Sequence, residues 1–400
     1  MTFKRTIRML PALLLLPLAA ANAANLATGR HGNTATLLAD GNFLVTGGVT
    51  GSANTLVVST ASVEIFFTSA AAWGIGAQML TVRSSHTATL MADGRVLVTG
   101  GFIGGIPTNL AEVYDPSAGP TGAWTAIPDT MTNQRGAHTA TLLNRGAGRG
   151  KVLVCGGQTL PNPAQAGGQT ANCELFTPRV PVNTGTFDPA TAMNSARMGH
   201  TASGITNGKV FASGGMQWNA GAWVYLPTNE LYDSDTGIWT PVSPLNAGRV
   251  DHTATVLNNG NIVIAGGYNA LNMLYLETEL PDSNPPVPSN QNACSQGFLG
   301  SVEMFNPEGG REMIMGLDYG VMPYRLGRHS SILSPEGKQV TMGGYGNILP
   351  ALFAGPSVFT DTSYSSMSAI SSTTANLLPS SVMTITVKKM LSRAVNGRIV

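Results

Sequence analysis

The stretch RSSHTATLMADGRVLVTGG, Arg83 to Gly101, decides the reading of this chain. Its halves, TATL and VLVT, are short and rich in residues that suit a pleated, half-buried surface, and a polar Asp-Gly turn separates them. Together they predict a β-hairpin closed by a Gly-Gly pair. The paired glycines mark a backbone conformation or approach that any Cβ would obstruct.

Nearly the same wording recurs at each of the six histidines. The other copies are GRHGNTATLLADGNFLVTGG at His31, RGAHTATLLNRGAGRGKVLVCGG at His138, RMGHTASGITNGKVFASGG at His200, RVDHTATVLNNGNIVIAGG at His252 and RHSSILSPEGKQVTMGG at His329. Four copies place the histidine 14 residues before the first glycine; the first copy has 16, and the third, with a longer turn, has 18. A variable loop follows, then Glu-x-aromatic: Glu64/Phe66, Glu112/Tyr114, Glu174/Phe176, Glu230/Tyr232 and Glu303/Phe305. Trp73, Trp124, Phe187 and Trp239 come next, with Met315 in the fifth copy. The sixth keeps the aromatic as Phe359, in SVFT, and has no glutamate.

A period of this length signals a repeat architecture. One four-stranded sheet of about 50 residues cannot bury both faces, whereas sheets stacked around an axis can, and a closed ring shelters their edges. The expected fold is all-β: a six-bladed propeller over residues 24–361. Its blades fall at about 28–80, 81–132, 133–194, 195–246, 247–324 and 325–361. Residues 362–400 are Ser/Thr-rich until SVMTITVKK, which either supplies a closing outer strand or builds a degenerate seventh blade. A Pro- and Asn-rich insert between Gly267 and Glu303 is expected to be a surface loop.

The hydrophobic run ending in Gly-Gly, then Glu-x-aromatic, then Trp resembles the kelch motif. The HTATLL-DG-VLVTGG wording is similar to the propeller of the galactose oxidase superfamily. The resemblance covers residues 29 to about 360. It implies that the first strand of each blade lines a central channel and that partners bind at the rim where that strand starts. It also allows a test for chemistry, because galactose oxidase holds copper with two tyrosines and two histidines, one tyrosine being joined to a cysteine. Here the corresponding positions read His in every blade, and the nearest echo is Arg328-His329 in PYRLGRHSSIL. The copper-radical site is not reproduced. No Gly-x-Ser-x-Gly, His-Glu-x-x-His or phosphate loop is present either. The expectation is therefore a binding module without catalytic residues, metal or cofactor, whose partner is a protein or a cell-surface glycan. A carbohydrate or alcohol oxidoreductase with a divergent site is the alternative.

Residues 1–23 have the layout of a secretory signal peptide: Lys4, Arg5 and Arg8, then an apolar run, then Ala21-Asn22-Ala23. Export to the periplasm, cell surface or medium is expected, and no later stretch is apolar enough for a membrane span. Charged residues make up 11% of the chain against about 25% in an average protein. The net charge of +1 gives no reason to expect nucleic acid.

Four groups of residues are candidates for a role. His31, His86, His138, His200, His252 and His329 would ring the channel; a residue needed by every blade serves structure, such as a hydrogen bond to a neighbouring loop. Arg30, Arg83, Arg135, Arg197, Arg249 and either Arg325 or Arg328 precede or adjoin those histidines. Guanidinium groups there would suit an acidic ligand at the rim, or would pair with Glu64, Glu112, Glu174, Glu230 and Glu303. Trp218, Trp223 and Tyr225 stand off the repeat in GGMQWNAGAWVYLPTNE, where aromatics can stack on a sugar or anchor a protein, or pack on one another. Cys155 and Cys173 are expected to face each other across an antiparallel pair and form a disulfide, leaving Cys294 over.

Overall fold

The computed structural model describes residues 26–27, 30–50, 58–70, 72–162, 167–179, 185–205, 207–269 and 302–307. It also describes the backbone of strands Tyr324–Gly327, Ser330–Leu333, Gln339–Met342, Tyr345–Ile348, Val358–Phe359, Ser363–Ser365, Val382–Ile385 and Val387–Lys388. The signal-like segment, most of the blade-five insert with Cys294, Met315, Arg328 and His329 lie outside the described residues.

Every described element is a strand, a bridge or a turn. Blade two shows the plan: Thr87–Leu90, Val96–Thr99, Ala111–Asp115 and Ala123–Ile127 pair antiparallel in chain order. Blades one, three and four repeat it with four strands, and blade five has three described. The second strand is buried at every residue in Phe43–Thr46, Val96–Thr99, Val152–Cys155 and Ile262–Ala265, which shows that both faces of each sheet are covered. The core lies between successive sheets. Leu44, Val63 and Ile65 of blade one pack with Val96, Val98 and Tyr114 of blade two, and the pattern continues to blade five. The repeated tryptophans act as pins as well as wedges: Trp124 Nε1 donates to the carbonyl of Ala77 in the preceding link at 2.7 Å.

The inner strands Thr34–Leu37, Thr87–Leu90, Thr139–Leu142, Thr201–Gly204, Thr253–Val256 and Ser330–Leu333 adjoin in that order, and the last adjoins the first. The circuit closes at six, with no further sheet inserted among the described residues. Gly-Gly is the joint between neighbours. In blade two, Gly100 and Gly101 take φ of 56° and 97°, and Gly101 N–H donates to the carbonyl of Arg135 in blade three at 2.8 Å. A methyl on Gly100 would run into that arginine's carbonyl and the His138 ring; one on Gly101 would meet the Ser84 carbonyl at 2.7 Å. Both glycines are required by contact as well as by φ.

Two features differ from the sequence reading. In blade one, His31 pairs with Val49 as Ser84 pairs with Phe102, so Asn33, not His31, stands where the other copies carry histidine. That accounts for the longer first spacing. In the sixth sheet, SVFT is not the third strand. Val358–Phe359 joins a separate small sheet, and Val382–Ile385, from the tail, pairs with Gln339–Met342. The tail thus supplies the third and outermost described strand of the sixth sheet.

Cys155 and Cys173 lie directly opposite on neighbouring strands and are joined by a disulfide across a separation of 18 residues. A loop of this size stabilises by about 3 kcal/mol in the chain-entropy account. The double variant Cys155→Ala/Cys173→Ala should lose roughly that amount in urea unfolding. A loss near zero would show that the surrounding core alone holds the two strands.

Candidate functional site

The turn that leads into each inner strand builds the mouth of the channel. Gly32, Ser85, Ala137, Gly199 and Asp251 are left-handed, with φ from 49° to 62°. Three of the five are not glycine, a conformation that costs about 1 kcal/mol or more for an L-residue. Their backbones are linked blade to blade: Ser85 N–H to Gly32 O at 2.7 Å, Ala137 to Ser85 at 2.9 Å, Gly199 to Ala137 at 2.8 Å and Asp251 to Gly199 at 2.9 Å. All five line a cavity of about 730 Å³ at the centre of the ring. The sequence did not flag this collar, because only two members are glycines; the signal was a residue with little or no side chain just before most of the repeated histidines.

Arg30, Arg83, Arg135, Arg197 and Arg249 are not on the cavity wall. Arg83 Nη2 donates to Glu112 Oε1 at 2.8 Å, and its Nη1 reaches the carbonyls of Gly100 at 2.9 Å and Leu110 at 3.1 Å. The other carboxylate oxygen of Glu112 accepts from the Leu80 N–H, at 2.7 Å, in the link from blade one. One ion pair thereby ties the incoming link, the Gly-Gly corner and the third strand. The same pairing joins Arg30 to Glu64, Arg135 to Glu174, Arg197 to Glu230 and Arg249 to Glu303. The guanidinium groups of these pairs are buried. Burial lowers the Arg83 pKa and raises that of Glu112, and their mutual attraction opposes both shifts. Of the two sequence readings of these arginines, the geometry carries the pairing.

The sixth sheet departs in a telling way. Gly327 faces Tyr345 as Ser84 faces Phe102, which puts Leu326 at the arginine position. Met383 faces Thr341 as Glu112 faces Val98. The ionic partners are replaced together by two apolar residues, and Arg325 faces Asn347, one residue before the arginine position; Arg328 lies outside the described residues.

Four of the histidines, His86, His138, His200 and His252, face the preceding blade, and these and His31 line the cavity. His86 Nε2 lies 2.9 Å from Thr46 Oγ1 and 3.3 Å from Thr34 Oγ1, and His138 Nε2 lies 3.0 Å from Thr99 and 3.2 Å from Thr87. His200 reaches Thr139, and His252 reaches Thr201, each at 3.0 Å. The second threonine of each HTAT copy adds to this belt: Thr36 Oγ1 donates to Ala88 O and Thr89 Oγ1 to Ala140 O. Among the described residues no group of three His, Cys, Asp or Glu is placed to hold a metal ion.

Trp218, Trp223 and Tyr225 stand on the hairpin Met216–Asn219/Ala222–Tyr225, whose base residue Met216 lines the cavity. All three are half-buried: Trp218 and Trp223 meet edge to face at 5.3 Å, and Tyr225 meets Tyr268 at 5.7 Å. The hairpin therefore rises from the same rim as the collar, and the described chain of blade five reaches that rim at Asn269, before the insert.

The Kelch motif profile matches residues 83–131 and 197–246. Kelch-like protein 15 of Danio rerio is 28% identical over 151 residues, 36% of this chain and 24% of that relative. This chain thus spans about a quarter of the relative's length. The solved structure of YjhT superposes with a TM-score of 0.59 at 14% identity, covering 81% of this chain and 93% of that one, which is a likeness of fold.

Two predictions concern this machinery. Glu112→Ala strands a buried guanidinium and should cost about 3–5 kcal/mol in urea unfolding, whereas Arg83→Leu/Glu112→Met, copying the sixth sheet, should recover most of that loss. A double variant no better than the single would show that the ion pair is irreplaceable in that setting. Burial, then the charge of Arg83, depresses the His86 pKa to about 3, and burial lowers His138 and His200 well below the ordinary value. The unfolded chain binds protons that the folded chain refuses once the pH falls below about 6.5. The histidine contribution is therefore complete above that pH and is lost on acidification towards the folded pKa, at up to about 1.4 kcal/mol per pH unit for each histidine. His86→Asn, the residue blade one already uses, should flatten the slope of stability against pH between about 6 and 4 by one proton. An unchanged slope would show that His86 does not couple to folding.

Proposed function

Because this chain is a kelch-repeat β-propeller, we propose that it is a protein-interaction module that presents one rim of its ring to a partner. The observation that carries this reading is convergence. The collar, the central cavity, the aromatic hairpin of blade four and the exit of the blade-five insert all lie at the rim where the inner strands begin. Among the described residues the opposite rim carries turns such as Asp93-Gly94 and Asn259-Gly260, with a longer one over residues 144–150 in blade three. Long loops on a rigid scaffold are where binding residues concentrate.

Export belongs to the same reading. It is supported by the Cys155–Cys173 disulfide, since such bonds persist in oxidising compartments, and by the signal-like layout of residues 1–23.

A photo-reactive amino acid at Ile106 or Val224, both exposed on hairpins of this rim, should crosslink a partner in intact cells. The same group at Ile238, exposed at the far end of blade four, should not. Equal capture from Ile238 would remove the rim from the account.

A further inference from the structure

The far rim, away from the collar, carries its charges unevenly. Outside the buried Arg–Glu pairs, six described residues are cationic: Arg95, Arg145, Arg149, Lys151, Arg179 and Lys209. Arg95 belongs to blade two, where its guanidinium donates to Asp93. The other five stand on turns and strand ends of blades three and four. Lys209 shares Asp233 at 3.7 Å, while Arg145, Arg149 and Arg179 are exposed and Lys151 is half-buried.

Blade three builds this cluster with its longer turn. Residues 143–151 join its first two strands, where residues 91–95 suffice in blade two. The extra chain is fastened by its backbone to blade four. Ser234 Oγ donates to Arg145 O at 2.9 Å, and Ala147 N–H donates to Asp235 Oδ1 at 3.1 Å. Gly146 is left-handed at φ 77°, and a methyl there would run into Ser234 Oγ. The turn also closes on itself, with Gly150 N–H donating to Leu143 O at 2.8 Å. A turn held this way keeps Arg145 and Arg149 in water over the seam between two blades. The neighbouring Asp235 carboxylate is engaged with a backbone amide.

Blades one and two give the same rim the opposite sign, with Asp40, Asp93 and Asp115 beside Arg95. A flat anionic surface laid across the rim would meet both signs. A narrow anionic strand following blades three and four meets the cations. Guanidinium groups suit carboxylates and sulfates, which they can hold through two parallel hydrogen bonds. We propose that this part of the far rim binds a linear anionic polysaccharide, whose carboxylates or sulfates are met by Arg145, Arg149 and Lys151, with Arg179 and Lys209 flanking them. The surface is separate from the collar rim; the choice of polysaccharide over nucleic acid rests on the export reading.

The test measures binding of polygalacturonate and heparin to the full-length protein, beside a DNA duplex and phosphatidylglycerol vesicles. The polysaccharides should bind, and less tightly as salt rises through about 0.1 M. Arg145→Gln/Arg149→Gln should weaken that binding about tenfold. Ala92→Glu/Ala118→Glu lowers the net charge equally, on exposed turns of blade two, and should change binding by about twofold at most. All four positions are exposed, and melting curves check that both variants stay folded. Equal losses in the two variants would reduce the effect to net charge and overturn the proposal. So would failure of both polysaccharides to bind, or tighter binding of the DNA or the vesicles. A bound polysaccharide adds no protein band to photo-capture at Ile238, and capture at Ile106 should persist in Arg145→Gln/Arg149→Gln. The far-rim proposal and the collar-rim reading therefore fail separately.

Discussion

The fold depends on a buried ion pair that is repeated around the ring. The Arg83–Glu112 pair fastens three pieces of chain at one corner: the link from the previous blade, the carbonyl beside the Gly-Gly joint, and the start of the third strand. Two charges removed from water are costly alone; in blade two the cost is offset where Arg83 Nη1 reaches two carbonyls and the second Glu112 oxygen accepts from Leu80, while Arg83 Nε finds no partner. The histidine–threonine belt then sews each inner strand to its neighbour. The result is a frame of repeated contacts that holds the collar around the channel.

Much of this was legible in the sequence, because the residues that build a blade recur in every blade. The hairpin, the glycine joint, the Glu-x-aromatic strand and the facing cysteines each have a local signature. Arg83 and Glu112 could be paired from their co-occurrence, though sequence alone left a ligand role open. What escaped had lost its signature. His31 is displaced by two residues, and Asn33, which can hydrogen-bond as histidine does, carries no repeat mark of its own. The third strand of the sixth sheet was sought at Phe359 because an aromatic remains there; the true strand, Val382–Ile385, has Met383 where a glutamate was the landmark. The left-handed collar escaped because conformation is set there by the ring and not by glycine.

The same division separates structure from function in the molecule. Recurring polar residues are engaged in cohesion, and beside the recurring histidines the cavity is lined by positions that vary from blade to blade: His31, Ser84, Met198 and Val250 at one, Gly32, Ser85, Ala137, Gly199 and Asp251 at the next. A regular frame thus carries an irregular lining. Recognition can change at these positions without disturbing the clamps behind them.

The collar's hydrogen bonds have one further property. Every described link points the same way around the axis, from a later blade's amide to an earlier blade's carbonyl. Dipoles arranged head to tail on an arc sum to little along the axis, unlike those of a helix, whose aligned peptides leave a positive and a negative end. The throat of this ring therefore has no built-in electrical pole. The collar amides thus leave the charge preference of the throat to the other groups that line it.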